Sequence, residues 1–295
     1  MDVSECRAAL ATLEEVRRPE RVVRIEGGWS FWTFEADREI VRFPRTAEDA
    51  RRLKAEFRML PVVAEILPVP VPGYVARGEW AGSPFGVYPM LPGRPLTVDD
   101  LSGGNGALAM ELGAALRALH LVSSDRATDA PGEDADPSAW WRRKLAFFDD
   151  CGDRAFPLLP TRVRLAADRE IGTMTQRVAD GVIRPALSHN DLGLVHVLTD
   201  GTRLTGIIDW SDAEVTDPAI DFVGVFGAGG RAAVEAVLRG YGEPPGEAFW
   251  ERLQFLAWVA PLHDILYGLD AGDDAIVADG IAGVQARMWA GGVLD

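Results

Sequence analysis

The stretch SHNDLGLVHVLTDGTRLTGIIDW, residues 188–210, sets His189, Asp191, His196 and Asp209 in one short run broken by a turn and two apolar, strand-like pieces. A β-hairpin bent through TDGTR brings Asp209 back beside His196 and leaves Asp191 a few ångströms off. That arrangement suits a divalent ion held by His196 and Asp209, with Asp191 free to act on an incoming hydroxyl. Phosphoryl transfer divides its labour in this way: one carboxylate orients the nucleophile, and metal neutralises charge on the phosphates.

Working outward, the text from about residue 105 is helical apart from this run. GALAMELGAALRALHLV, AWWRRKLAFFDD, TRVRLAADREIGTMTQRVAD, GGRAAVEAVLRGYG, EAFWERLQFLAWVAPLHDILYGL and DDAIVADGIAGVQARMWA carry apolar residues at helical spacing. Residues 123–138 hold five acids, Pro and Gly without apolar periodicity, which predicts a long surface loop. Before residue 92 the pattern differs. A helix is expected over about 2–18, then RVVRIEGGWSFWTFEADREIVRFP reads as three strands broken at Gly27-Gly28 and at Ala36-Asp37-Arg38. Thr46 is an N-cap candidate for a helix with Leu53, Phe57 and Leu60 on one face. Two further strands follow, with PGRP at 92–95 as the junction. The expected fold class is α+β in two lobes: a small antiparallel-sheet lobe over 1–92 and a larger, mainly helical lobe over 93–295.

Charge and composition bound the function. The 295 residues are 47% apolar and 25% charged, an ordinary globular composition. Thirty basic against forty-five acidic residues give −15, which argues against nucleic acid or an anionic membrane face as partner. Residues 1–92 hold 13 basic and 14 acidic residues and 93–295 hold 17 and 31, so the excess of acid lies in the second part. That asymmetry reads either as a solvated surface or as a cleft for cations. No apolar run is long enough for a membrane span, and MDVSECRAALATLEE has acids where a secretory signal has a basic and then apolar region. A cytoplasmic protein is expected. Cys6 and Cys151 have no metal or disulfide spacing and are expected to be reduced and structural.

HNDLGLVHVL followed by IIDW and DPAID resembles the catalytic block of the aminoglycoside and macrolide phosphotransferases, antibiotic kinases related to the protein kinases. The family pattern is H-x-D-x-x-x-x-N and then a strand ending in a metal-binding Asp. The resemblance makes Asp191 the catalytic carboxylate and Asp209 a metal ligand. His196 stands at the Asn position, a departure shared by some aminoglycoside 2''-kinases and macrolide kinases. Mg²⁺ prefers oxygen ligands and imidazole suits softer ions, so His196 also motivates a reading of another class, a nucleotide binder without turnover. IVRFPRTAEDARRLKAEFRMLPVVAEILPVPVP is similar to the kinase strand that offers a basic residue to phosphates and the helix whose Glu pairs with it, which implies Arg42, or in second place Arg45, with Glu56 as partner. EGGWSF, with Ser30, takes the place of the loop over the phosphates, and FGVYPMLPG that of the joining segment, where backbone groups of Pro89, Met90 and Leu91 bond the purine. No Walker A motif is present.

The resemblance implies ATP- or GTP-dependent phosphorylation of a hydroxyl on an antibiotic, with Mg²⁺ as cofactor. An aminoglycoside ranks first from the acidic second lobe, and a macrolide, nucleoside or peptide antibiotic remains as alternative. Asp212, Glu214 and Asp264 are the candidate contacts for its ammonium groups. Asp217 and Asp221 are expected to cap a helix and brace the catalytic loop, and His189 to hydrogen-bond within it. Trp250, Phe255, Trp258 and Tyr267 are expected to be core.

Overall fold

A computed structural model describes residues 1–15, 17–102, 106–122, 139–244 and 246–290. The expected acidic loop at 123–138 lies outside the described residues.

The first helix is shorter than its sequence suggests. Helix α1 (Val3–Leu10) starts on an Asp2–Glu5 capping box and ends before the apolar text does. The chain then doubles back, burying Leu13 against the sheet and letting Arg17 reach Glu39 at 3.0 Å. Burial of Leu13 and one ion pair outcompete a further turn of exposed helix.

Strands β1 (Val22–Ile25), β2 (Phe31–Ala36) and β3 (Glu39–Pro44) follow as read. Helix α2 (Ala47–Ile66) begins where expected, with Thr46 accepting from the Asp49 amide and Asp49 accepting from the Thr46 amide. Strands β4 (Ala76–Trp80) and β5 (Ser83–Pro89) complete an antiparallel sheet of order β1-β2-β3-β5-β4. One face of α2 serves both halves of the molecule. Leu53 and Phe57 close on Phe31 of the sheet, while Met59, Leu60 and Val63 belong to the large helical core. Each such fully buried side chain contributes about 1.5–3 kcal/mol, so α2 ties the sheet to the helical part.

The remaining chain forms β6 (Arg94–Pro95), α3 (Val98–Ser102), α4 (Ala107–His120), α5 (Ala139–Arg154), α6 (Thr161–Ala179), β7 (Ala186–Ser188), β8 (Val197–Thr199), β9 (Leu204–Ile207), β10 (Glu214–Thr216), α7 (Val223–Tyr241), α8 (Phe249–Ala271) and α9 (Asp274–Ala290). Two small antiparallel ladders, β6-β8-β9 and β10-β7, lie on this helical body and frame the quoted run. No described helix is long and apolar enough to cross a membrane. Phe255 and Trp258 are core as expected, and Trp250 packs against it. Tyr267 is not core: it carries a ring contact to Trp29 of the β1–β2 loop.

Candidate active site

The run 188–210 folds as a strand, a loop and a hairpin. Strand β7 delivers His189, Asn190 and Asp191; a single 3-10 turn, Leu194–His196, leads into β8; and β9 returns antiparallel with Val197 opposite Ile207. The Ile208 amide donates to the His196 carbonyl at 2.9 Å, so Asp209 leaves the ladder beside His196. Asn190 and Asp209 both take left-handed backbone, φ 67° and 66°. Asn and Asp accept that conformation at a modest cost, and at each position it turns a side chain out of the ladder.

One buried carboxylate holds the loop. Asp221 accepts from the His189 amide at 2.9 Å and the Asn190 amide at 2.8 Å, and its Oδ2 lies 3.0 Å from His120 Nε2. His120 Nδ1 is in turn 3.0 Å from the Tyr241 hydroxyl. Asp217 accepts from the Ala219 amide as the cap of the 3-10 turn Pro218–Phe222 and pairs with the buried Arg252. From below, Gly224 touches the loop so closely that a Cβ there would stand 2.2 Å from the Leu192 carbonyl oxygen. His189 stays inside this frame, its Nε2 at 2.9 Å from the Ile208 carbonyl and its ring driven toward the neutral form by burial.

Asp191, His196 and Asp209 come together, their nearest ligand atoms all within 4.8 Å of one another. His196 Nδ1 lies 2.7 Å from the Asp191 carbonyl oxygen. A carbonyl only accepts, so Nδ1 carries the proton and the Nε2 lone pair faces Asp209 Oδ2, 3.8 Å away. An imidazole fixed in this tautomer by its other nitrogen and set beside a carboxylate is a fit donor pair for a divalent cation. Asp191 keeps 59% of its side chain exposed. Burial of its carboxyl in the cleft nevertheless pushes its pKa up to about 6, against the pull of His196 and helped by Asp212, Asp209 and Asp221.

Arg42 reaches this cluster from the sheet. Its guanidinium lies on the Phe31 ring at 4.1 Å, Nη1 donates to both Glu56 oxygens at 3.0 and 3.1 Å, and Nη2 donates to Asp209 at 2.7 Å. The Tyr74 hydroxyl donates to Glu56 at 3.1 Å. Burial acts to discharge Arg42, yet Glu56 and Asp209 outweigh it and hold the guanidinium firmly charged. Burial also pushes the Asp209 carboxyl up, but the charge of Arg42 and its hydrogen bond outweigh it and keep Asp209 below its ordinary value.

The other sequence candidates are placed as follows. Ser30 ends the β1–β2 loop, its carbonyl accepting from Arg45 at 3.0 Å. Pro89, Met90 and Leu91 run between sheet and helical body, but their amides are not equivalent: Pro89 has none, Met90 donates its own to the Arg38 carbonyl at 2.8 Å, and Leu91 donates to no described residue. Asp212 and Glu214 flank the cleft, already neutralised. Asp212 pairs with Arg52 of α2, and Glu214 pairs with Arg143 of α5 at 3.1 Å and accepts from Asn190 at 3.3 Å. The net −14 of the second part is therefore not concentrated as free carboxylate beside Asp191. Asp264 stands apart on α8, where Arg287 of α9 is its charge partner and burial raises its pKa.

Sequence reasoning missed Arg52, Arg143, Asn190, Tyr74 and His120. Arg52 had a signal, since it precedes Glu56 by one helical turn and so shares its face. The contacts of Tyr74, His120 and Arg143 join residues 18, 101 and 71 positions apart, which no local pattern announces.

Comparison with known proteins identifies the family and the fold. Viomycin phosphotransferase of Streptomyces vinaceus is 28% identical over 257 residues, covering 83% of this chain and 86% of that protein. The fold superposes on the GDP and kanamycin complex of APH(2")-IIia with a TM-score of 0.82 at 24% identity, over 95% and 97% of the two chains. The macrolide 2'-phosphotransferase MphH from Brachybacterium faecium gives a TM-score of 0.67 at 25% identity, over 89% and 91%. The model of the phosphotransferase enzyme family matches residues 21–256, so this two-lobed, kinase-like chain is a phosphotransferase and belongs to that family.

Proposed function

We propose that the protein moves the γ-phosphoryl group of ATP or GTP to a hydroxyl of an antibiotic, an aminoglycoside first. The observation that carries the reading is the Asp191, His196 and Asp209 cluster set against the Arg42–Glu56 pair across the cleft. Residues 1–92 form the donor lobe in this reading and 93–295 the acceptor lobe, and both substrates are small molecules.

Asp191, held by the loop that Asp221 braces, accepts a hydrogen bond from the acceptor hydroxyl and takes its proton as the bond to phosphorus forms. Its pKa, raised to about 6, makes it a better base than an ordinary aspartate and still leaves it mostly ionised at neutral pH. His196 through Nε2 and Asp209 through Oδ2 would hold a divalent ion, Mg²⁺ in the first instance, which neutralises charge between transferred and remaining phosphates. Arg42, oriented by Glu56 and Phe31, turns its fork from Asp209 to the phosphates, with Ser30 in the loop above them. The Leu91 amide and neighbouring carbonyls of Pro89 and Met90 meet the purine edge.

An ammonium-bearing acceptor reaches Asp212 and Glu214 by exchanging with Arg52 and Arg143, and Asp264 serves as an outlying contact. A second reading, viomycin as acceptor, is favoured by the relative that matches 83% of the chain. The test is a nucleotide-consumption assay with Mg²⁺, run with ATP and GTP separately against kanamycin, gentamicin, streptomycin, viomycin and a macrolide, with product mass recorded. A gain of about 80 Da on one compound, lost in Asp191→Ala and retained in His196→Asn, is the expected result. Equal, negligible transfer by wild type and both variants would sink the proposal in favour of a nucleotide binder without turnover.

A further inference from the structure

The loop between β1 and β2, Glu26–Ser30, contains Gly27 in left-handed backbone (φ 101°). Its described polar ties are few: the Ser30 carbonyl accepts from Arg45, and Glu26 lies 3.4 Å from Arg24. Trp29 leaves its own sheet and lies flat on Tyr267 of α8, ring centroids 4.0 Å apart and planes 7° from parallel. This contact joins the sheet side of the cleft to the helical side, and Trp29 remains 48% exposed.

The two halves of the stack differ in how they are held. Tyr267 sits one turn beyond His263, whose ring lies on Phe147 of α5 at 4.1 Å and 18°. Between them Ile265 and Leu266 are buried in the core, so the helix under Tyr267 is fixed. Trp29 rides on a glycine-bearing loop on an edge hairpin, since β1 is the outermost strand. A flat aromatic contact is favourable beyond the area it covers, and here it is bought only when the loop lies down across the cleft.

We infer that Trp29 and Tyr267 are positioning residues for the phosphoryl donor: their stack holds the Glu26–Ser30 loop closed over the cleft from the opposite lobe. The inference rests on the phosphotransferase reading proposed above. Closure from the acceptor side places the loop where it orders the donor and excludes water from the transferred group. Without the stack, water enters: its oxygen forms the new bond to the γ-phosphorus, the bridging bond to the β-phosphate breaks, and the nucleoside diphosphate, inorganic phosphate and a proton leave.

The test uses the full chain with Trp29→Ala, Tyr267→Ala, the Trp29→Ala/Tyr267→Ala double variant and Tyr267→Phe. Three quantities are read: amide hydrogen exchange in residues 26–30, the Kd for Mg·ATP and Mg·GTP, and nucleotide hydrolysis without acceptor. Each alanine variant is expected to raise exchange in the loop, weaken nucleotide binding roughly two- to tenfold and, with nucleotide saturating, increase acceptor-free hydrolysis above that of wild type. The double variant should be no worse than the poorer single one, and Tyr267→Phe, which keeps the ring, should match wild type. Additive single effects, unchanged exchange in both alanine variants, or a phenylalanine variant as impaired as alanine would overturn the inference. If the wild type bound no nucleotide, the functional proposal would fall, while loop exchange would still decide whether the stack holds the loop.

Discussion

Asp221→Asn changes one atom of a buried carboxylate and tests how the catalytic loop is held. Asp221 Oδ1 accepts from the Asn190 amide and Oδ2 from the His189 amide, with His120 Nε2 at 3.0 Å from the same oxygen. Asparagine keeps the shape but presents an NH₂ in place of one oxygen. With Nδ2 on the former Oδ2 side, His120 can adapt by moving its proton to Nδ1, where the Tyr241 hydroxyl can accept it. The His189 amide cannot adapt, since a backbone N–H only donates. One buried donor is left unpaired at about 1–3 kcal/mol, and the surviving bond to Asn190 loses its charge assistance, worth about 1 kcal/mol more. The sum, about 2–4 kcal/mol, is a large share of the 5–15 kcal/mol typical of a folded protein. At about 2–4 °C per kcal/mol the melting temperature should fall by roughly 4–16 °C. The loop carries Asp191, so transfer should fall as well. Arg42, Glu56 and Tyr74 lie on the other side of the cleft, so nucleotide affinity by calorimetry should hold within about twofold. A variant that melts within about 1 °C of wild type and transfers phosphate at the wild-type rate would refute the assignment of Asp221 as the brace.

The remaining predictions concern the same cleft. Asp191→Asn should lower transfer by about 10²–10⁴-fold. It should also raise stability at pH 7: a carboxyl raised to about 6 in the fold and near 4 unfolded destabilises the fold when ionised, and exposure of the side chain cuts the effect to about 1 kcal/mol. The sign fixes the window. The penalty is absent below about pH 4, where both states are protonated, and grows to its full value above about pH 6, so the melting-temperature gap between wild type and variant should open over that interval. Transfer by the wild type should decline as pH falls through about 6, because a protonated Asp191 cannot take the hydroxyl proton; a flat rate from pH 8 to 5 would contradict its role as base. Gly224→Ala should displace the Leu192 carbonyl, a backbone atom with little room to yield, costing about 1–3 kcal/mol and impairing transfer more than nucleotide binding. Arg52→Gln removes the internal partner of Asp212, so KM for a cationic acceptor should drop by about two- to fivefold with KM for nucleotide unchanged; an increase would show Arg52 to be a contact for the acceptor itself.

The quoted run was legible because its chemistry is local. Asp191, His196 and Asp209 lie within one strand–loop–hairpin unit, and the short TDGTR turn between two apolar strands returns Asp209 to His196. The Thr46 cap and the strand–helix order before residue 92 were legible for the same reason, since cap and periodicity act within a few residues. The end of α1 was not, because burial of Leu13 and the Arg17–Glu39 pair depend on a sheet formed later in the chain.

What the sequence by itself determined is the α+β fold class and the grouping of Asp191, His196 and Asp209 in one local unit, since both follow from short-range periodicity and spacing. Tertiary structure alone decided the electrostatic state of those groups. The acidic excess of residues 93–295 suggested open carboxylates for a cation, yet Asp212 and Glu214 are matched by Arg52 and Arg143 brought from 160 and 71 positions away. It also decided that Tyr267, patterned as core, lies beneath Trp29 instead. Aromatic contact energies fall off within a few ångströms, and exposed charge pairs are screened within about 8–10 Å. Such contacts are set by which segments the fold makes neighbours, a quantity the order of residues along the chain does not state.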